Sequence, residues 1–97
     1  MGVFLSNRNY VKGANFERAR VNLHKARGAI WAARIAGSHS PFDVVALYGD
    51  GRLYLEQCKT GKVTSHIIRE AVEKAPTVPE VCDIFVSIET PKKSHPI

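Results

Sequence analysis

The stretch PFDVVALYGDGRLYLEQCKTGK, residues 41–62, decides how this chain folds. Phe42 to Tyr48 is rich in branched and aromatic residues and is apolar on both faces, which predicts a strand inside a sheet. Gly49-Asp50-Gly51 reads as a hairpin turn, and Arg52 to Lys59 as the returning strand. The ends away from the turn carry an acid, Asp43, an amide, Gln57, and a lysine, Lys59. Register decides whether they meet. A three-residue loop sets Tyr48 opposite Arg52 and Asp43 opposite Gln57. A two-residue turn at Asp50-Gly51 sets Asp43 opposite Cys58, on the side of Glu56. A slip of one residue exchanges the faces, and the flanking glycines permit either register. The three-residue loop is the expected one. Alternation then puts Gln57 and Lys59 on one face, with Leu53 and Leu55.

On the N-terminal side, residues 1–12 lack periodicity and read as a basic arm. From Asn15, an N-cap candidate, Phe16, Ala19, Leu23 and Ala26 recur at helical spacing, with Glu17 in the first turn and Gly28 as the stop. A neighbouring stripe, Glu17, Arg20, His24 and Arg27, is polar and mostly basic. Residues 29–37 (AIWAARIAG) read as a strand, followed by a loop over residues 37–41. Beyond the hairpin, Thr64 or Ser65 caps a second helix whose apolar stripe is Ile67, Ile68, Ala71 and Val72, ended by Pro76 and Pro79. Residues 81–89 (VCDIFVSIE) read as a last strand, and residues 90–97 as a polar basic tail. Trp31 and Phe85 are expected in the core. The order is α-β-β-β-α-β, an α/β fold with a mixed sheet flanked by helices. The last strand follows a crossover helix and is expected parallel to a neighbour.

The chain has 97 residues, enough for one domain with one modest core. No apolar run approaches the roughly 20 residues of a membrane span, and the N-terminus is too short and polar for a secretory signal. Cys58 and Cys82 have no Cys-x-x-Cys spacing and are expected as reduced thiols of a cytoplasmic protein. The histidines are scattered, with no zinc-ligand pair on one helix face; His39 lies in a loop. The net charge is +5 and unevenly placed. Arg8, Lys12, Arg18, Arg20, Lys25, Arg27 and Arg34 face a single acid, Glu17, in residues 1–34, whereas acids outnumber bases in the remainder. That is the footprint of a surface meeting a polyanion, most often nucleic acid. Arg8, Lys12, Arg20, Lys92 and Lys93 are candidate phosphate contacts.

An acid, an amide oxygen and a lysine at one end of a hairpin suit metal-assisted phosphodiester cleavage. Carboxylate and carbonyl oxygens bind hard divalent cations. Such a cation activates water and neutralises charge on the phosphate, and a nearby lysine orients the water or balances developing charge.

KGANFERARVNL, AARIAGS, PFDVVAL and LYLEQCK, in that order from Lys12 to Lys59, resemble the archaeal-type Holliday junction resolvases of the PD-(D/E)xK nuclease superfamily. The resemblance implies a restriction-endonuclease-like core and a homodimer that uses Mg2+ or Mn2+ to cut four-way DNA junctions in recombination and repair. The host would be archaeal, bacterial or phage. It assigns Glu17, Asp43 and Gln57 to the metal, Lys59 to catalysis, Arg18 and Arg34 to DNA phosphates, and Ser38 to a mobile loop near the scissile bond. Gln57 departs from the pattern, standing where the family usually has an acid; Glu56 could replace it only through the other register or a bulge. Two rivals remain: another nuclease of the superfamily acting on duplex or flap DNA, and a non-catalytic nucleic-acid-binding module.

Overall fold

The computed structural model describes residues 2–35, 40–76 and 83–97; of residues 2–10 it describes the backbone alone. Ser38, His39 and Cys82, and the side chain of Arg8, therefore lie outside the described residues. The elements are α1 (Gly2–Ala26), β1 (Trp31–Arg34), β2 (Val44–Leu47), β3 (Arg52–Cys58), α2 (Ser65–Lys74), β4 (Asp83–Glu89) and β5 (Ser94–Pro96). They form one five-stranded mixed sheet in the order β1-β2-β3-β4-β5. β1–β2, β2–β3 and β4–β5 are antiparallel, and β3–β4 is parallel, joined through α2 as parallel pairs must be by a crossover.

The β2–β3 turn has three residues. Tyr48 N–H donates to the Arg52 carbonyl at 2.9 Å, and Gly51 N–H donates to the Tyr48 carbonyl at 3.1 Å. Gly51 has φ of +90°, a conformation that L side chains disfavour and glycine adopts freely. Leu47 consequently pairs with Leu53 and Val44 with Glu56.

The sheet has two differently built faces. On the α2 face, Phe42, Leu55, Ala71 and Ile88 are buried, with Val45, Ile67, Ile84 and Val86 packed against them. Thr64 caps α2, its hydroxyl accepting from Ile67 N–H at 3.3 Å. Only the inner half of the expected α2 stripe is covered: Ala71 is buried and Ile67 half-buried, but Ile68 and Val72 are exposed. On the other face, Val21 of α1 packs onto Ala32, Val44, Ala46 and Tyr48.

α1 departs from expectation twice. The helix starts at Gly2, so residues 2–12 are helical rather than a loose arm, and Asn15 is internal; it accepts from Arg18 at 3.1 Å. The buried positions are Ala14, Val21 and His24, whereas Ala19 and Ala26 are exposed and Phe16 and Leu23 half-buried. The expected apolar stripe therefore lies roughly half a turn away from the sheet. The polar stripe Glu17, Arg20 and His24 points inward instead, because β1 and β3 offer it charged partners.

Two further corrections concern the sheet's far side and edges. The expected tail contains β5, a three-residue edge strand ending in Pro96, the kind of short proline-bearing edge that resists further pairing. Trp31 (55% exposed) and Phe85 (45% exposed) are not core residues. Trp31 opens an edge strand, and α1 packs chiefly on β1, β2 and β3, leaving Phe85 of β4 partly open among the described residues.

Candidate active site

Asp43 sits just before β2, where three strand ends meet. Its N–H donates to the Glu56 carbonyl at 2.8 Å, and its carbonyl accepts from Ile35 N–H at 2.9 Å. Its carboxylate is anchored by Cys58 N–H, which donates to Oδ2 at 2.9 Å. Burial raises the Asp43 pKa; the Cys58 N–H opposes this, Glu17 adds to it, and Arg34 and Lys59 oppose it, with a net upward shift. Glu17, Arg34 and Lys59 are thus all within electrostatic reach of this carboxyl group.

Gln57 stands one step beyond the Val44–Glu56 pair; because Asp43 as well as Val44 lies against Glu56, the strand bulges there, and Gln57 shares this end of the sheet without pairing regularly with Asp43. Its Oε1 is buried and accepts no hydrogen bond from the described residues. Such an acceptor costs about 1–3 kcal/mol unless something binds it. Lys59 follows two residues on, held at the end of β3 by its N–H, which donates to the Glu89 carbonyl at 2.9 Å. Glu17 reaches this end of the sheet from α1 and accepts from Arg34 Nε at 3.0 Å. The thiol of Cys58, next to Gln57, is pushed up in pKa by burial and by the charges of Asp43, Glu56 and Glu17, only partly countered by Arg20.

Glu56 belongs to the opposite face and to a different network. It is 1% exposed and receives Arg20 Nε at 2.9 Å, an Arg20 terminal nitrogen at 2.8 Å, and His24 Nε2 at 2.7 Å. Burial alone would raise its pKa, but the bonds from Arg20 and His24 outweigh it and hold the carboxyl below its usual value. An ionised Glu56 only accepts, so His24 Nε2 carries a hydrogen. His24 Nδ1 lies 2.7 Å from the Tyr48 hydroxyl, a phenol kept protonated by burial and by neighbouring Tyr54. Arg20 also lies 3.5 Å from Glu89, which accepts from Ser87 at 2.7 Å and from Ser94.

Of the sequence-predicted residues, Glu17, Asp43, Gln57 and Lys59 are gathered at one end of the sheet. Arg20 is not a surface phosphate contact; its guanidinium is committed to Glu56. Arg18 and Lys12 are exposed, and Arg34 is paired with Glu17. The buried Arg20–Glu56–His24–Tyr48 network was not anticipated. Its signal was the spacing of Glu17, Arg20 and His24 along one helical stripe, which reads as solvated until an acid on the sheet is placed beneath it.

Among the described residues, no group of three or more His, Cys, Asp or Glu side chains could hold a metal ion. Glu17, Asp43 and Gln57 comprise two acids and an amide. All three donors are oxygens, and the orphaned Gln57 Oε1 is of the type that hard cations such as Mg2+ and Mn2+ accept. Among the described residues, no helix is long and apolar enough to cross a membrane. Comparisons with protein-family models, with curated proteins and with solved structures found no match for this chain.

Proposed function

We propose that the chain is a metal-dependent DNA endonuclease of the Holliday junction resolvase type, on a restriction-endonuclease-like core. The order α1, β1, β2, β3, α2, β4 supports the core assignment. The observation that carries the proposal is the Asp43 carboxyl in the field of Glu17 and Lys59, with the buried Gln57 Oε1, unbonded among the described residues, at the same end of the sheet.

Glu17, Asp43 and Gln57 would hold the cation. Asp43 Oδ2 is already anchored by Cys58 N–H, so the carboxylate is oriented before any ligand arrives. Glu17 would exchange its bond to Arg34 for the ion. When bound, the cation supplies an activated water and neutralises charge on the scissile phosphate. Lys59 orients that water or balances developing negative charge. Exposed Arg18 and Lys12 add phosphate contacts that carry affinity without sequence information. A homodimer would place one site on each of two opposed strands of a junction.

The test is cleavage of a synthetic four-way junction in Mg2+ or Mn2+, compared with linear duplex and flap substrates. Asp43→Asn is expected to abolish cutting while junction binding persists. Retained cutting by that variant excludes the site, and equal cutting of linear duplex assigns the chain to another nuclease type. A second reading, a non-catalytic DNA-binding module, draws on the neutral amide at Gln57; junction binding by the wild-type chain with no cutting in either metal would select it.

A further inference from the structure

We propose that the cavity bordered by α1, β4 and the β4–β5 turn binds an unpaired nucleotide, its base against Phe85 and its phosphates on the turn. The inference rests on the DNA-directed reading above and names the part of the DNA recognised.

Arg20, His24 and Arg27 of α1 border, with β4 and the β4–β5 turn, a cavity of about 530 Å³. This volume lies within the usual range for sites that take small molecules. One wall is aromatic. The Tyr54 and Phe85 rings stack with centroids 5.1 Å apart and planes 20° apart, and Tyr54 in turn packs on His24 and Tyr48. Phe85 ends this row and is 45% exposed, a supported aromatic side chain with surface still open to solvent. The floor is polar but internally matched: Arg20 serves Glu56 and Glu89, and Ser87 and Ser94 donate to Glu89. The rim carries Arg27, Lys92 and Lys93. The Thr90–Lys93 turn is shared with a second cavity of about 640 Å³, which brings in Lys12 from α1.

An apolar aromatic surface bordered by unmatched cations fits a ligand that is planar and anionic at once. A base with its phosphates has that character, and base–aromatic stacking is indifferent to sequence. A base inside a duplex has no face to offer, so the ligand is unpaired DNA. The groove is also well placed for it. β3 and β4 run parallel, so the Lys92–Lys93 turn and Lys59 lie at the same end of the sheet, joined by the bond from Lys59 N–H to the Glu89 carbonyl. A strand crossing the candidate active site would reach the lysine turn next.

The experiment is fluorescence anisotropy with end-labelled single strands, one intact and one abasic at its central positions, in EDTA. The intact strand is expected to bind at least about 5-fold tighter than the abasic one, the lower bound for one stacked base. Phe85→Ala should remove that preference, Phe85→Trp should keep it, and Lys92→Ala with Lys93→Ala should weaken both strands alike. Equal binding of the two strands by the wild-type chain overturns the proposal, as does an unchanged preference in Phe85→Ala. Conversion of a dimer to monomers by Phe85→Ala in sedimentation equilibrium would also overturn it, assigning the groove to a second copy of the chain. Because no divalent cation is present, failure to cut any junction counts against the nuclease reading and leaves this readout intact.

Discussion

Replacing Glu56 by Gln keeps the shape of the side chain and removes its charge. In the folded protein that charge receives three hydrogen bonds of 2.7–2.9 Å, two from Arg20 and one from His24. Breaking a buried ion pair from one side costs about 3–5 kcal/mol, because the abandoned partner stays desolvated. Here the abandoned partner is not wholly stranded: the Arg20 side chain is 16% exposed and retains Glu89 at 3.5 Å. The cost should therefore lie at the lower end, about 3 kcal/mol, a large share of the roughly 5–15 kcal/mol that stabilises a domain. At about 4–8 °C per kcal/mol for a chain of this size, the melting temperature should fall by about 12–24 °C. The pH dependence follows from the depressed folded-state pKa of Glu56. Its contribution is fully present above the ordinary value of 4.5 and is lost as the pH falls through the folded value. The gap between wild type and Glu56→Gln should thus be widest near neutrality and narrow in acid. Urea unfolding followed by circular dichroism across that range measures it. A gap below about 0.5 kcal/mol at neutral pH, the level of an ordinary surface substitution, would refute the reasoning, as would a gap that widens in acid. Arg20→Met combined with Glu56→Leu should cost much less than the two single changes together, since neither charge is then left alone.

Other outcomes follow from single residues. Asp43, with its raised pKa, binds a proton in the folded state that the unfolded chain has released. Stability is therefore lost as the pH rises from the usual 3.8 through the folded value. Asp43→Asn, which can still accept from Cys58 N–H, should melt higher than wild type at pH 7 and converge with it below that window, as scanning calorimetry would show. Gly51→Ala meets no atom within 4 Å but must hold a φ of +90°; it should cost about 1–2 kcal/mol in urea unfolding, with Gly51→Asn less harmful. In a Cys82→Ser background, Cys58 should react with a disulfide reagent at pH 8 far more slowly in the native protein than in urea, because burial and the neighbouring acids disfavour its thiolate. Comparable rates would contradict that environment.

The hairpin was legible because its signals are local. Gly49-Asp50-Gly51 permits a loop with one residue at positive φ, and that loop sets Tyr48 against Arg52 and Val44 against Glu56; the bulge that puts Asp43 on the Glu56 carbonyl as well was not legible. The element order was legible for the same reason, each segment carrying its own period and stop. The seating of α1 was not. Periodicity assigns Phe16, Ala19, Leu23 and Ala26 to the core on the premise that a sheet offers an apolar face. This sheet offers Glu56 and Arg34 to the helix, and a polar stripe answers them. No window of helix sequence contains that information, since Arg20 and Glu56 are 36 residues apart. β5 was missed because three residues ending in proline carry no strand pattern. Trp31 and Phe85 were assigned to the core by residue type, which holds only where an element covers them; the one opens an edge strand, and the other stands at the open side of a cavity. In the candidate active site, the residues were legible but the orphaned state of Gln57 Oε1 was not, because it depends on every neighbour that fails to reach it.

The central claim is that Glu17, Asp43 and Gln57 share a divalent cation beside Lys59, and calorimetric titration with Mn2+ tests it most directly. Wild type should bind one ion per chain, Asp43→Asn should lose it, and Gln57→Glu, which adds a third carboxylate to the set, should bind it more tightly. No binding by wild type, or binding indifferent to both substitutions, would contradict the account.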